Sequence, residues 1–118
     1  MSPLSSSEKD GRTIIQLPEH LEQNDWMAFR DRVHRQFIDR GITNVIIDCE
    51  QAPDLPSIAY GALIGLARDL RRIKGSFALV HVSTKIRTVL TRTRLDLSLP
   101  IHGTLTEIIR RPVTQSDP

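Results

Sequence analysis

Short apolar runs alternate along this chain with longer amphipathic stretches, and this alternation constrains the fold more than any other feature. The runs around Ile14, Ile46 and Leu79 are typical of strands buried inside a sheet. The stretches between them carry apolar residues at spacings of three and four, as helices with one buried face do. Strands separated by helices of this length pair in parallel through right-handed crossovers. The sequence therefore predicts an α/β domain with a mixed, mostly parallel sheet of four or five strands and about four helices.

The first half of the chain is predicted to contain a hairpin, a helix and a central strand. The turn dipeptide Asp10-Gly11 precedes a β-branched strand at 13–17, so we expect a hairpin whose first arm is weakly specified. Asn24 is expected to cap a helix that Gly41 terminates. The apolar face of this helix consists of Trp26, Phe29, Val33 and Phe37. The run 45–47 is expected to be a central strand that ends at Asp48 and Cys49.

The second half is predicted to contain the longest helix, a buried strand and three shorter elements. Ser57 is expected to cap the longest helix, which ends at Lys74-Gly75. A buried strand at 77–82 follows, and Ser83 caps a third helix. A short edge strand is expected at 100–102 and a final helix at 105–110.

Length and composition favour a single domain outside the membrane. The 118 residues are 39% hydrophobic and 25% charged, which is ordinary for one globular domain. We expect this domain at 12–111, a flexible segment or weak hairpin arm at 1–11, and a disordered tail at 112–118. Neither a membrane span nor a secretory signal is recognisable, so we expect a cytoplasmic protein with no membrane partner. Cys49 is the only cysteine, which excludes an intramolecular disulfide and a cysteine-based zinc site.

Charge is distributed unevenly between the two halves. Residues 1–50 carry nine acids and six bases, whereas residues 51–118 carry five acids and ten bases. An excess of bases favours an anionic partner, but five aromatic residues leave little material for stacking on nucleic-acid bases. Nucleic acid is therefore not expected as the partner, and an anionic-ligand surface stays open as an alternative. Its residues would be Arg68, Arg71, Arg72, Lys74, Arg87, Arg92 and Arg94.

The sequence contains no recognisable catalytic or cofactor motif. It has no G-x-G-x-x-G, no Walker lysine loop, no H-E-x-x-H and no G-x-S-x-G. The histidines His20, His34, His81 and His102 are scattered, and no acid or cysteine lies at a spacing that predicts a metal site with them. We therefore predict that the protein is not an enzyme and has no metal and no cofactor.

Two polar residues lie where α/β proteins place functional groups. Asp48 ends the central strand, and it either has a functional role or accepts a hydrogen bond from the backbone of the following loop. Ser57 lies at the start of the longest helix, where a serine usually acts as a cap. The same position suits a phosphate, because free N–H groups and the helix dipole stabilise negative charge there.

Four segments, in order and at matching spacing, resemble one family. Val45-Ile46-Ile47-Asp48 is followed, after a short loop, by Pro56-Ser57-Ile58-Ala59-Tyr60-Gly61-Ala62-Leu63. Segments 75–82 and 85–90 come next, and then Leu95-Asp96 and Pro100-Ile101. Together, residues 12–111 resemble the STAS domain, the fold of bacterial anti-sigma factor antagonists, in which Asp-Ser-Ser-Gly-Leu-Gly opens the helix after the central strand.

The resemblance implies a switch that is controlled by phosphorylation. In that family the first serine of the signature is phosphorylated by a kinase that is also the anti-sigma factor, and a phosphatase restores it. Ser57 occupies that position and is the implied phosphoacceptor. The unphosphorylated domain would bind the kinase, as a monomer or weak dimer. The implied partner-binding residues are Asp48, Asp54, Leu55, Pro56, Ile58 and Tyr60.

The chain also departs from the family pattern. Pro56 replaces the acid before the serine, and Ile58-Ala59 replaces Ser-Gly. Arg94 stands where the family has a glycine, which is costly if that backbone must be left-handed. The changes at Pro56, Ile58 and Ala59 favour an alternative, a STAS scaffold that is not phosphorylated or an interaction subunit of another signalling or transport complex.

Overall fold

Five strands lie side by side in the same order as in the chain. The protein is seen here in a computed structural model that describes residues 4–18 and 25–102. The strands are β1 (Ser6–Lys9), β2 (Arg12–Gln16), β3 (Asn44–Asp48), β4 (Ser76–Val80) and β5 (Ile101–His102). β1 and β2 form an antiparallel hairpin around Asp10-Gly11, and the pairs from β2 to β5 are parallel. The predicted mixed, mostly parallel sheet is confirmed.

Helices connect the parallel strands. Within the described ranges these are α1 (Asp25–Gln36), α2 (Ser57–Arg72) and α3 (Thr84–Arg92), with short 3-10 helices at Ile38–Arg40 and Leu95–Leu97. The predicted helix at 105–110 and the predicted cap Asn24 lie outside the described residues, as do His20 and the tail at 112–118. No helix in the described ranges is long and apolar enough to span a membrane.

Alternation along the strands divides the buried residues between the two faces of the sheet. One face carries Ile15, Ile47 and Leu79, which belong to the large core cluster together with the buried residues of all three helices. The other face carries a small cluster of Ile14, Ile46, Ala78 and Val80. β3 is thus buried on both faces, as its uninterrupted apolar run predicts. The predicted apolar face of the first helix is also buried, at Trp26, Phe29, Val33 and Phe37.

Several element ends differ from the sequence predictions. The first helix, α1, ends at Gln36, and Gly41 instead terminates the separate 3-10 helix at Ile38–Arg40, with a left-handed backbone at φ 96°. β4 ends at Val80, and the next residue, His81, has a left-handed backbone with φ 56°, which terminates the strand before Val82. At the end of α2 the left-handed residue is Lys74, with φ 62°, rather than Gly75. Glycine is required at 75 for a different reason, because a Cβ there would collide with the backbone oxygen of Thr43.

Candidate functional site

The candidate site lies where β3 and β4 end and α2 and α3 begin. Asp48 and Val80 are register partners in the parallel pair, so the segments that follow them emerge at the same edge of the sheet. Loops at the carboxyl ends of parallel strands are the usual location of functional groups in α/β folds. One of these loops, residues 49–56, leads directly to Ser57.

Ser57 is the first residue of α2, and Pro56 occupies the N-cap position. The prediction that Ser57 caps this helix is therefore wrong. The extended backbone of Pro56, at φ −72° and ψ 163°, starts the helix one residue earlier, and its carbonyl accepts the N–H of Ala59 at 2.9 Å. Ser57 is exposed, and its hydroxyl makes no hydrogen bond to any described residue. This hydroxyl is therefore available at the positive end of the longest helix.

A hydrogen bond and an ion pair connect the loop before Ser57 to the start of α3. The Ser83 hydroxyl donates to the carbonyl of Pro53 at 2.8 Å. Asp54 accepts the N–H of Leu55 at 2.8 Å and lies 3.8 Å from the ammonium of Lys85. Leu55 itself is buried, which anchors the loop to the core. The surface around Ser57 is thus built from the β3–α2 loop and the first turn of α3.

Asp48 is almost fully buried at the end of β3. Its Oδ1 accepts the backbone N–H of Glu50 at 3.0 Å. This bond to the backbone of the following loop is one of the two roles that its position suggested. The same oxygen lies 3.0 Å from Nδ1 of His81. The structure therefore joins Asp48 to a histidine that the sequence analysis had not connected with any acid.

The residues implied as partner-binding differ in accessibility. Asp54 and Pro56 are exposed beside Ser57, and Ile58 is half-buried. Asp48, Leu55 and Tyr60 are buried. The Tyr60 hydroxyl is buried with no hydrogen-bond partner among the described residues. Burial, and after it the negative charge of Asp54, raise the pKa of Tyr60, so its hydroxyl stays protonated at neutral pH.

The neighbouring thiol is buried and stays protonated at neutral pH. Cys49 is 1% exposed, and desolvation together with the adjacent Asp48 raises its pKa to about 12. A thiol needs its thiolate form to act as a nucleophile or a metal ligand. Cys49 therefore contributes packing rather than chemistry to this edge of the sheet.

The fold and this edge define an α/β domain that exposes a serine at the start of its longest helix, on a surface formed by two loops. The family model described as the STAS domain matches residues 5–108. The chain belongs to the STAS domain family, as the four sequence segments suggested.

Relatives and solved structures show the same similarity. Two relatives from Thermotoga species have names that assign them to the anti-sigma factor antagonists. One, from Thermotoga maritima, is 25% identical over 98 residues, covering 83% of this chain and 87% of the relative. The other, from Thermotoga neapolitana, is 24% identical over 97 residues, covering 81% of this chain and 86% of the relative.

Two solved structures share the fold. A crystal structure of the Thermotoga maritima protein superposes with a TM-score of 0.83 at 23% identity, covering 92% of this chain and 95% of that one. The Bacillus cell fate determinant SpoIIAA in its phosphorylated form superposes with a TM-score of 0.68 at 20% identity, covering 92% of this chain and 97% of that one.

Proposed function

We propose that this chain is an anti-sigma factor antagonist that acts by partner switching. In this proposal the unmodified protein binds an anti-sigma factor that is also a serine kinase, and phosphorylation of Ser57 releases it. A phosphatase would restore the binding form. The observation that carries the proposal is the exposed Ser57 hydroxyl, which makes no hydrogen bond to a described residue at the first position of α2. The names of the Thermotoga relatives support the general role.

Electrostatics explain how one phosphate at Ser57 would switch binding. A phosphoserine carries a charge of about −1.5 to −2 at neutral pH. The dipole of α2 would stabilise that charge on the free protein. In a complex, the same phosphate would have to be desolvated against the bound surface, next to the carboxylate of Asp54, which is itself exposed. The modification would therefore weaken the complex more than it perturbs the free domain.

Phosphorylation can be tested directly with the candidate kinase. The protein is incubated with ATP and a serine kinase of the anti-sigma factor type from the same organism, and the phosphate is mapped by mass spectrometry. We expect a single phosphate on Ser57 and none on the Ser57→Ala variant. Phosphate on another residue, or none while Ser57 is intact, contradicts the proposal.

Partner binding provides a second test with a matched control. Ser57→Asp should bind the partner at least tenfold more weakly than Ser57→Ala, because only the first variant adds charge at the interface. Ser7 is an exposed serine on the edge strand β1, and Ser7→Asp makes the same chemical change two strands away from β3. This control should bind as the wild type does. Equal partner affinities for the two Ser57 variants would contradict the proposal that charge at Ser57 controls binding.

The alternative function is a STAS scaffold or interaction subunit whose binding is not controlled by phosphate. The residues after Ser57 favour it. Ile58 and Ala59 carry no hydroxyl, so no second hydroxyl follows the serine, and their side chains are half-buried and fully buried, respectively. Pro56 also stands where the family has an acid immediately before the serine. In this case the Ser57→Asp, Ser57→Ala and wild-type proteins would bind the partner equally well.

A further inference from the structure

Three side chains with metal-ligating atoms converge beside the loop that leads to Ser57. The Nδ1 of His81 lies 3.0 Å from Oδ1 of Asp48 and 3.8 Å from Oε2 of Glu50. One ligand atom from each of the three residues lies within 4.8 Å of the others. The sequence does not reveal this group, because His81 is separated from the two acids by a whole βα unit.

The charge balance of this group differs from that of the other histidine–carboxylate pair described. On the α1–α2 contact, Asp69 accepts from His34 at 2.7 Å and from Arg30 at 2.9 Å, so two basic groups share one acid. At the end of the sheet, two acids share His81. No described lysine or arginine forms an ion pair with Asp48 or Glu50. The second group therefore has an excess of negative charge that a cation would neutralise.

The Asp48 side chain is 9% exposed and still has coordination capacity. Both of its described hydrogen bonds use Oδ1, and Oδ2 makes no hydrogen bond with a described residue. The Glu50 side chain is 70% exposed, so it can change rotamer without displacing the core. Both carboxylates can therefore adjust by a few tenths of an ångström around an ion without repacking the core.

We propose that Asp48, Glu50 and His81 form a binding site for one divalent transition-metal ion of the zinc type. Zinc binds imidazole nitrogen and carboxylate oxygen at about 2.0–2.2 Å, which requires ligand atoms about 3.4 Å apart in tetrahedral geometry. The described separations of 3.0 and 3.8 Å bracket that value. An imidazole with two carboxylates suits zinc or manganese better than magnesium, which prefers oxygen ligands and retains its water.

A bound ion would connect the two loops of the candidate site. Glu50 belongs to the loop between β3 and α2, and His81 belongs to the loop between β4 and α3. Coordination would hold these loops together at the start of the loop that leads to Ser57. The hydrogen bond between Ser83 and Pro53 already connects the same two loops. The site does not depend on phosphorylation or on any partner, so it can be tested on the isolated protein.

The test is calorimetric titration of the full chain, first treated with a chelator, with zinc chloride. We expect saturable binding of one ion per chain. Glu50→Gln and His81→Asn should each weaken it by about tenfold or more, since even residues that only support ligands contribute tenfold to hundredfold. Asparagine is chosen at 81 because it tolerates a left-handed backbone. Glu50 is exposed, so its variant should keep the fold in every case.

The matched control is His34→Asn, which removes the histidine of the other pair and should leave zinc affinity unchanged. Hydrogen exchange should also show slower exchange in residues 50–56 when zinc is added to the wild type and no change in Glu50→Gln. The proposal is overturned if no saturable site is found, or if affinity is the same in wild type, Glu50→Gln and His81→Asn. Loss of affinity in His34→Asn equal to that in His81→Asn would also overturn it.

Discussion

The hydroxyl of Ser83 donates to the carbonyl of Pro53 at 2.8 Å and also accepts the N–H of Ile86 at 3.1 Å. One side chain therefore caps α3, as the sequence predicted, and holds the loop that precedes Ser57. The capping bond satisfies a free N–H in the first turn of the helix. The second bond makes the position of the Ser57 loop depend on α3.

Removing this hydroxyl should destabilise α3 and release the loop. We expect Ser83→Ala to lower the free energy of unfolding by about 1 kcal/mol, the usual contribution of a helix cap. Hydrogen exchange of residues 52–56 should become faster in the same variant. Ser83→Thr keeps the hydroxyl and serves as the control. An alanine variant with unchanged stability and unchanged loop exchange would show that these two bonds contribute little.

Asp69 joins α1 to α2 through Arg30 and His34, and this network predicts a pH dependence of stability. Burial alone would raise the pKa of Asp69, but hydrogen bonds from Arg30 and His34 outweigh it and lower the pKa below its usual value of 3.8. A carboxylate whose pKa is lower in the folded state stabilises the fold above its unfolded pKa. This contribution is lost as the pH falls through the pKa of the folded state.

Asp69→Asn should therefore destabilise the protein by about 1–2 kcal/mol at pH 7, because Arg30 loses a charged hydrogen-bond partner at a partly exposed site. The difference from wild type should shrink as the pH falls below 3.8 and through the lowered pKa of the folded state, because Asp69 is then protonated in both states. Urea denaturation at pH 7 and at acidic pH measures it. A difference that stays constant with pH would mean that the carboxylate charge is not the cause. Asp31→Asn removes an exposed i,i+4 partner of Arg35 and should have a much smaller effect.

Hydrophobic periodicity was sufficient to predict most of the fold. The three described helices, the central strand and the parallel pairing all follow from runs that are buried on one or both faces. Element ends were predicted less well, since they depend on backbone conformations at single residues. Lys74 and His81 have left-handed backbones, which only a few per cent of non-glycine residues adopt, so residue type did not signal these two turns.

The candidate site was likewise only partly predictable from the sequence. The positions of Ser57 and Asp48 at this edge of the sheet could be predicted, because each lies at the end of a recognisable element. The contacts of Asp48 and Glu50 with His81 could not, because they depend on the register that aligns Asp48 with Val80. Register fixes which residues meet across two strands, and a single sequence reports it only indirectly. The burial of Tyr60 follows from its position on the inner face of α2, where Leu63 and Ala67 are also buried.

Arg94 has the left-handed backbone that the family's glycine suggested, with φ 62° and ψ 20°. A non-glycine residue in this conformation costs roughly 1 kcal/mol. We expect Arg94→Gly to raise the free energy of unfolding by about 0.5–1 kcal/mol, after the greater flexibility of glycine in the unfolded chain is included. Arg94→Ala removes the same side chain but keeps the strain, so it should give no gain. Equal stabilities of the two variants in urea denaturation would refute this explanation.

Ser57→Asp should keep the fold, which makes it a valid mimic of the charged state. α2 has no acid in its first turn, and an acid at this end of a helix interacts favourably with the helix dipole by about 0.3–1 kcal/mol. Thr84 occupies the equivalent first position of α3, which also lacks an acid there, so Thr84→Asp is the matched control. Thermal denaturation should show both variants at least as stable as wild type. If Ser57→Asp alone were destabilised, weaker partner binding by that variant would reflect unfolding rather than repulsion at the interface.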